Sequence, residues 1–428
     1  MKRKLIAIFM TIAMLTTMVP AAFAADETSD SFAEVTTQAL TQVDGVYQIG
    51  TAAEFMEFVA LVNNGDYDAN AVLTANIDMS GQTDYVPMGT YSNPYSGEFN
   101  GQDYTISNLS ITGNDSHMWA GIFGVVSGTV SHLKLDNVDV NNSSQSSGGD
   151  SAQAASGSIA GAIRNGGTVE YITALSTCSV EGFYRTGGIV GSCRDRNASV
   201  SHCVNYAAVT GHANYTGGIV GAAHNFLSIT SNFGTFVSDC TNHGSVTGTT
   251  EVGGIVGYTD RASVTNCLNK GTISGSGNYG TGGIVGCDIY NPQSIFIPAM
   301  GSTISDSTNE GAVTAPRAGG ILGSYVIAPG DSQPTIGNKY STITDCINTG
   351  AISSANNAGK CGAIYGAPIS YAHGDAESYV NHMIVRLQNC KVAGSVEGTT
   401  ITAENYMDYI AASNITDETG NEYYNGSN

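Results

Sequence analysis

Gly253-Gly254-Ile255-Val256-Gly257, then Val264-Thr265-Asn266-Cys267-Leu268-Asn269, then Gly271-Thr272-Ile273-Ser274-Gly275, is the stretch on which the fold turns. The glycine pentapeptide returns as Gly187 to Gly191, Gly217 to Gly221, Gly282 to Gly286 and, with Leu in place of Val, Gly319 to Gly323. Weaker copies stand at Ala120 to Gly124, Gly157 to Gly161 and Gly362 to Gly366. The second element returns at Val200 to Asn205, Val237 to Asn242, Ile304 to Asn309 and Ile343 to Asn348. The third returns at Ala208 to Gly211, Ser245 to Gly248 and Ala312 to Thr314. Units of about 24 to 44 residues with β-branched alternation and no helical period predict rungs of a parallel β-helix. The fold class is therefore all-β, a single-domain parallel β-helix solenoid. A propeller blade needs four strands, and the unit from the Ile106 strand to the Val130 strand is too short to hold them.

A solenoid needs closed ends. Thr51-Ala52-Ala53-Glu54 reads as a capping box, with Phe55, Phe58, Val59 and Val62 at helical spacing before Asn64-Gly65. That helix is expected to cover the first rung. Thr402 is expected to cap a second short helix, with Ala403, Tyr406, Met407 and Ile410 on one face. About nine rungs at roughly 4.8 Å each lie between the two caps.

Lys2, Arg3 and Lys4, an apolar run from Leu5 to Val19 and Ala22-Phe23-Ala24 together predict a secretory signal peptide over residues 1–24. Residues 25–44 read as a flexible lead-in, 45–400 as the solenoid and 401–428 as cap and tail. The expected location is secreted or extracellular, with cell-surface association through a partner, and no segment is expected to insert in a membrane. Among 428 residues, 36 are acidic and 15 basic, for a net charge of −21. Such a chain repels phosphate backbones, so nucleic acid is not an expected partner.

Nine cysteines in an exported chain raise the question of disulfides. Three residues after each second strand opens stand Leu109, Leu133, Ile172, Cys203, Cys240, Cys267, Ser307, Cys346 and Cys390. Leu and Ile at the first three positions make this an inward column, in which Cys acts as a small apolar residue. The expectation is a ladder of free thiols, since a linear stack offers neither disulfide geometry nor tetrahedral metal ligands. Cys178, Cys193, Cys287 and Cys361 lie outside that column. Two places beyond it, Asn205, Asn242, Asn269, Asn309 and Asn348 form a second structural ladder in which each amide bonds the next.

Gly97-Glu98-Phe99-Asn100-Gly101-Gln102-Asp103-Tyr104-Thr105-Ile106, with Leu73 to Met79 and Val86 to Gly89 ahead of it, resembles the segment that leads into GLUG-motif repeats of bacterial exported proteins. The Gly-Gly-Ile-Val-Gly copies resemble those repeats themselves, and the resemblance covers roughly residues 45 to 400. It implies a right-handed β-helix of the kind found on adhesin-like proteins and in the non-catalytic part of immunoglobulin A1 metallopeptidases. It carries no catalytic residue over to this chain.

None of the eight histidines is followed by Glu, so the zinc-peptidase motif is absent, and no Asp-Asp pair occurs. The basic residues are scattered singly, and Arg194-Asp195-Arg196 reads as a surface turn. No cofactor, metal or catalytic residue is expected. Inserts at His224 to Phe236, Cys287 to Gly301, Tyr325 to Ser341 and Ala367 to Met383 should stack into one face. That face would carry Phe226, Phe233, Tyr290, Phe296, Tyr325, Tyr340, Tyr371 and Tyr379, suited to docking a glycan or a surface protein. The expected function is non-catalytic, adhesin-like binding. A polysaccharide lyase or hydrolase on the same scaffold and a structural spacer are the alternatives.

Overall fold

The computed structural model describes residues 40–147, 153–224, 234–290, 301–327, 341–354, 360–367, 369–370, 385–412 and 418–424. All of them belong to one unit, Ala39–Asn428. The unit is a parallel β-helix solenoid. A central rung has five short strand segments: Thr250–Gly253, Val256–Asp260, Ala262–Thr265, Leu268–Asn269 and Ile273–Gly275. The first segments of successive rungs form one eight-stranded sheet, sheet I, and the second segments another, sheet II. The last three segments wrap into the large remaining sheet, sheet III. Register is conserved from rung to rung: Val200 pairs with Val237, Val237 with Val264, Val264 with Ile304 and Ile304 with Ile343. Each of these side chains is fully buried, so every rung buries copies of the same apolar residue on one another.

Between the third and fourth segments stands a column of residues in the left-handed region: His132, Tyr171, His202, Asp239, Asn266, Asp306, Asp345 and Asn389, with φ of 51–55°. Asn and Asp tolerate that conformation best among residues with a side chain, and they hold five of these eight positions. The next residue is the cysteine column. Cys203, Cys240, Cys267 and Cys346 donate their S–H to the carbonyl two residues back, at 3.1–3.3 Å. Ser307 does the same with its hydroxyl at 2.8 Å, which explains why Ser can replace Cys there. Burial holds the Cys240, Cys267 and Cys346 thiols well above the usual thiol range, so they stay protonated donors. All nine cysteines are buried free thiols.

The asparagine column is a continuous amide chain. Nδ2 of Asn205, Asn242, Asn269 and Asn309 each donates to Oδ1 of the next, at 3.0, 2.9, 2.8 and 2.8 Å. Each also donates to the backbone carbonyl two residues on, as Asn269 does to Gly271 O at 3.0 Å. This column accounts for the second glycine of the pentapeptide. A Cβ on Gly254 would lie 2.5 Å from Asn269 Cγ, and one on Gly218 would lie 2.5 Å from Asn242 Cγ. Two motifs that look separate in the sequence are thus one packed layer.

The N-terminal cap is α1 (Ala52–Asn63), where Thr51 Oγ1 accepts from Glu54 N at 3.2 Å and Glu54 Oε2 accepts from Gly50 N at 2.8 Å. Phe55 and Phe58 pack edge-on and tilted against Phe99, with centroids 6.3 and 6.1 Å apart. At the other end α2 (Tyr406–Tyr409) has Asn405 just before it, and Thr402 caps the turn that leads in, its Oγ1 accepting from Glu404 N at 3.3 Å and its carbonyl from Tyr406 N at 3.0 Å. Met407 is exposed, while Ile410 is buried and its carbonyl accepts from Ile364 N.

Several expectations need correction. Leu109 pairs with Val138, not with the Leu133 column, because the first complete rung step runs from Phe99 to Val130 rather than from Ile106. Cys178 joins the Leu109 column, where its Sγ accepts from Val138 N at 3.4 Å. Thr41–Val43, placed in the flexible lead-in, is a strand antiparallel to Val46–Ile49. Arg194 and Asp195 are buried, not a surface turn, and only Arg196 is exposed.

Candidate functional site

The arginines that are isolated in the sequence come together on the outer side of sheets I and II. The residue just before each sheet I pairing position forms one column: Trp119, Ala155, Arg185, Tyr215, Glu251, Gly280, Arg317 and Lys360. Arg185, Tyr215 and Glu251 have left-handed φ of 45°, 69° and 48°, so the chain bends there and the side chain leaves the apolar core. At the far end of the sheet II strands, Arg194, His224 and Asp260 stand in register on adjacent rungs. The two columns lie close enough that the charges of Arg185, Arg194 and Arg261 act on His224. Five of the chain's eight arginines, Arg164, Arg185, Arg194, Arg261 and Arg317, therefore lie on this strip, with Arg196 at its edge. The side chains of Arg185, Glu251, Asp260 and Arg317 are almost fully buried.

The polar contacts along the strip are specific. Arg261 Nε donates to Asp260 Oδ1 at 3.0 Å, and Arg317 Nε donates to Asn278 O at 3.0 Å. His224 Nε2 lies 3.1 Å from Ser192 Oγ. Burial, then the positive charges of Arg185, Arg194 and Arg261, push His224 well below the ordinary histidine range. Tyr215 and Tyr258 pack with ring centroids 4.5 Å apart. Asp288 lies one strand position inward. It accepts from Ser302 Oγ at 2.6 Å, Thr259 Oγ1 at 2.7 Å, Ser302 N at 3.2 Å and also Ser341 Oγ. Burial raises this carboxyl, while its four donors lower it, and the group is structural.

The inserts leave sheet II at this strip, immediately beyond His224, Tyr290 and Ile327. Phe226, Phe233, Phe296, Tyr340, Tyr371 and Tyr379 lie outside the described residues, as does the side chain of Tyr290. Tyr325 is fully buried, since it continues the inward column of Cys193, Ala223, Thr259 and Asp288. It is a core residue rather than part of a docking face.

A second group of aromatics sits at the left-handed corner of sheet III. His132, Tyr171 and His202 stack ring on ring, with centroids 4.7 and 4.6 Å apart and planes within 19°. Tyr206 and His243 stack likewise at 4.4 Å, and Tyr171 and Tyr206 are exposed. Rung spacing turns these rings face to face, so they show edges to solvent and use their faces on one another. Both faces of Tyr171 are taken in this way, and only the outer faces of the end rings are left to a ligand. The signal in the sequence was the residue before each member of the Leu133, Ile172 and Cys203 column and the residue after Asn205 and Asn242.

Among the described residues no three His, Cys, Asp or Glu side chains converge as metal ligands, and no helix is long and apolar enough to cross a membrane. No family model and no curated protein matches the chain. Among solved structures, a Bacteroides ovatus crystal structure described as a "putative immunoglobulin A1 protease" aligns over 88% of this chain and 84% of that one. The TM-score is 0.45 and the sequence identity 17%.

Proposed function

We propose that the protein is an exported bacterial solenoid of GLUG type that binds a glycan, adhesin-like and without catalysis of its own, on the strip across sheets I and II. The observation that supports this reading is the gathering of five arginines with Trp119, Tyr215 and Tyr258 along one strip of a chain whose net charge is −21, where Trp119, Arg164, Tyr215 and Arg261 are partly exposed and Arg185, Arg194, Arg317 and Tyr258 are buried. Guanidinium groups are planar, multi-donor and weakly hydrated, which suits them to bind in partly dry surroundings beside aromatic rings. Neighbouring rungs lie about 4.8 Å apart and carry different polar groups, so the strip sets a varied line of donors and acceptors along the solenoid.

A glycan array probed with purified residues 25–428, with every hit then incubated and checked for shortened product, tests the reading. Binding without product supports it. A second reading, cleavage of the bound glycan, draws on His224 beside Ser192 and on Glu251 and Asp260 in the same strip. Shortened product would put that reading first. An array without hits would leave a protein partner or a spacer role.

A further inference from the structure

Between Ser179–Gly182, the last strand of its rung in sheet III, and Thr186–Gly187 in sheet I, the chain sets Phe183 and Tyr184 side by side at the edge of the arginine strip. Both rings are partly exposed. Their centroids are 5.4 Å apart with planes 59° from parallel, and Phe183 meets His212 of the next rung at 6.2 Å and 40°. Neither contact lays one ring flat on another, in contrast to the stack of His132, Tyr171 and His202, so these contacts cover no face of Phe183 or Tyr184. The backbone fixes the corner. His212 N donates to the Gly182 carbonyl at 3.0 Å, Ala213 N to the Phe183 carbonyl at 2.9 Å and Thr249 Oγ1 to the His212 carbonyl at 3.0 Å. A site held by rung-to-rung bonds of this kind needs little ordering when a ligand arrives.

Beside the rings stands a polar pair. His212 Nε2 lies 2.7 Å from Glu181 Oε1, and both side chains are about half exposed. Glu181 sits on a strand paired on both sides, opposite Asn141 on one rung and Thr210 on the other, so the sheet positions its carboxylate. An ionised carboxylate has about four lone-pair sites and can accept from further donors besides His212. The next charged residue, Arg185, is buried, which leaves Glu181 as the exposed charge of this segment. Aromatic rings beside a lone carboxylate fit an uncharged sugar. The C–H side of a pyranose packs on the rings, and two neighbouring hydroxyls donate to the carboxylate in charge-assisted bonds. A carboxylate-bearing sugar would instead meet Glu181 on a chain of net charge −21, which repels it.

We infer that Glu181, Phe183, Tyr184 and His212 form a subsite for a neutral pyranose, taken through its C–H face and a pair of adjacent hydroxyls. The inference rests on the glycan-binding reading above and names its ligand class and the place on the strip where it is held. Residues 25–428 are titrated calorimetrically with cellotriose, maltotriose and mannotriose and with a galacturonate trisaccharide. The expected result is saturable binding of a neutral trisaccharide, with galacturonate at least about tenfold weaker. Tyr184→Ala and Glu181→Gln should each weaken the neutral binding about tenfold, through the lost ring contact and the lost charge-assisted bonds. Glu181→Gln breaks only an exposed ion pair, so its melting temperature should match the parent's. Tyr206→Ala, on the stacked corner of sheet III, should bind as the parent does. Galacturonate binding as tightly as the neutral sugars overturns the inference. So does an array hit that keeps its affinity in Tyr184→Ala or in Glu181→Gln, a result that leaves the strip reading standing. Failure of every glycan to bind on the array overturns both.

Discussion

Replacing Asn269 by alanine should cost far more than the loss of one surface amide. Asn269 is fully buried at the centre of the ladder. Its removal takes one partner from each of Asn242 Nδ2, Asn309 Oδ1 and Gly271 O, bonds of 2.9, 2.8 and 3.0 Å. Asn242 Nδ2 keeps its bond to Gly244 O, while each of the two acceptors left unpaired costs about 1–3 kcal/mol, so the expected loss is about 2–6 kcal/mol. Asn269→Asp keeps the shape but turns two donors into a charged acceptor facing Asn309 Oδ1 and Gly271 O, and the loss should be larger. Gly254→Ala approaches the same layer from the other side. Its methyl would reach 2.5 Å from Asn269 Cγ and closer still to the Gly283 carbonyl, so the rung must shift. Urea melts followed by far-ultraviolet circular dichroism, with hydrogen exchange to locate the loosened rungs, measure the effect. An Asn269→Ala protein within about 1 kcal/mol of the parent would refute the reasoning, because the ladder would then be an ornament of the packing.

Cys240→Ser should be tolerated within about 1 kcal/mol because Ser307 already fills that role, whereas Cys240→Ala removes the thiol's bond but leaves the Ser238 carbonyl its bond from His202 N, for a loss of about 0.5–1.5 kcal/mol. Thiol reagent should find nine equivalents in the unfolded chain without prior reduction, and almost none in the native one. Because the folded state lowers the affinity of His224 for its proton, the unfolded chain binds one more proton below its ordinary value near 6.5. Stability should therefore fall as pH drops through that value, by up to about 1.4 kcal/mol per pH unit from this group. His224→Gln should flatten that part of the melting-temperature profile, and an unchanged profile would show that His224 does not titrate as its surroundings require.

The repeat was legible because a solenoid writes each spatial neighbour into the chain one period away. Val200, Val237, Val264 and Ile304 can be aligned by eye, and the same alignment orders the Asn and Cys columns. Where the period breaks, near the first rung, self-alignment misplaced Leu109, since the entry strands add segments that no later copy contains. The capping box at Thr51 was legible for another reason, that its hydrogen bonds span only a few residues. The arginine strip was not legible at all. Arg164, Arg185, Arg194, Arg261 and Arg317 follow no common motif, and their rungs are interrupted by inserts of unequal length. Local spacing and rung repetition are properties of one chain read in order, so sequence alone determined the solenoid, its ladders and its N-terminal cap. Which outward side chains share a face depends on where the left-handed residues bend each rung, and that only the tertiary structure decided.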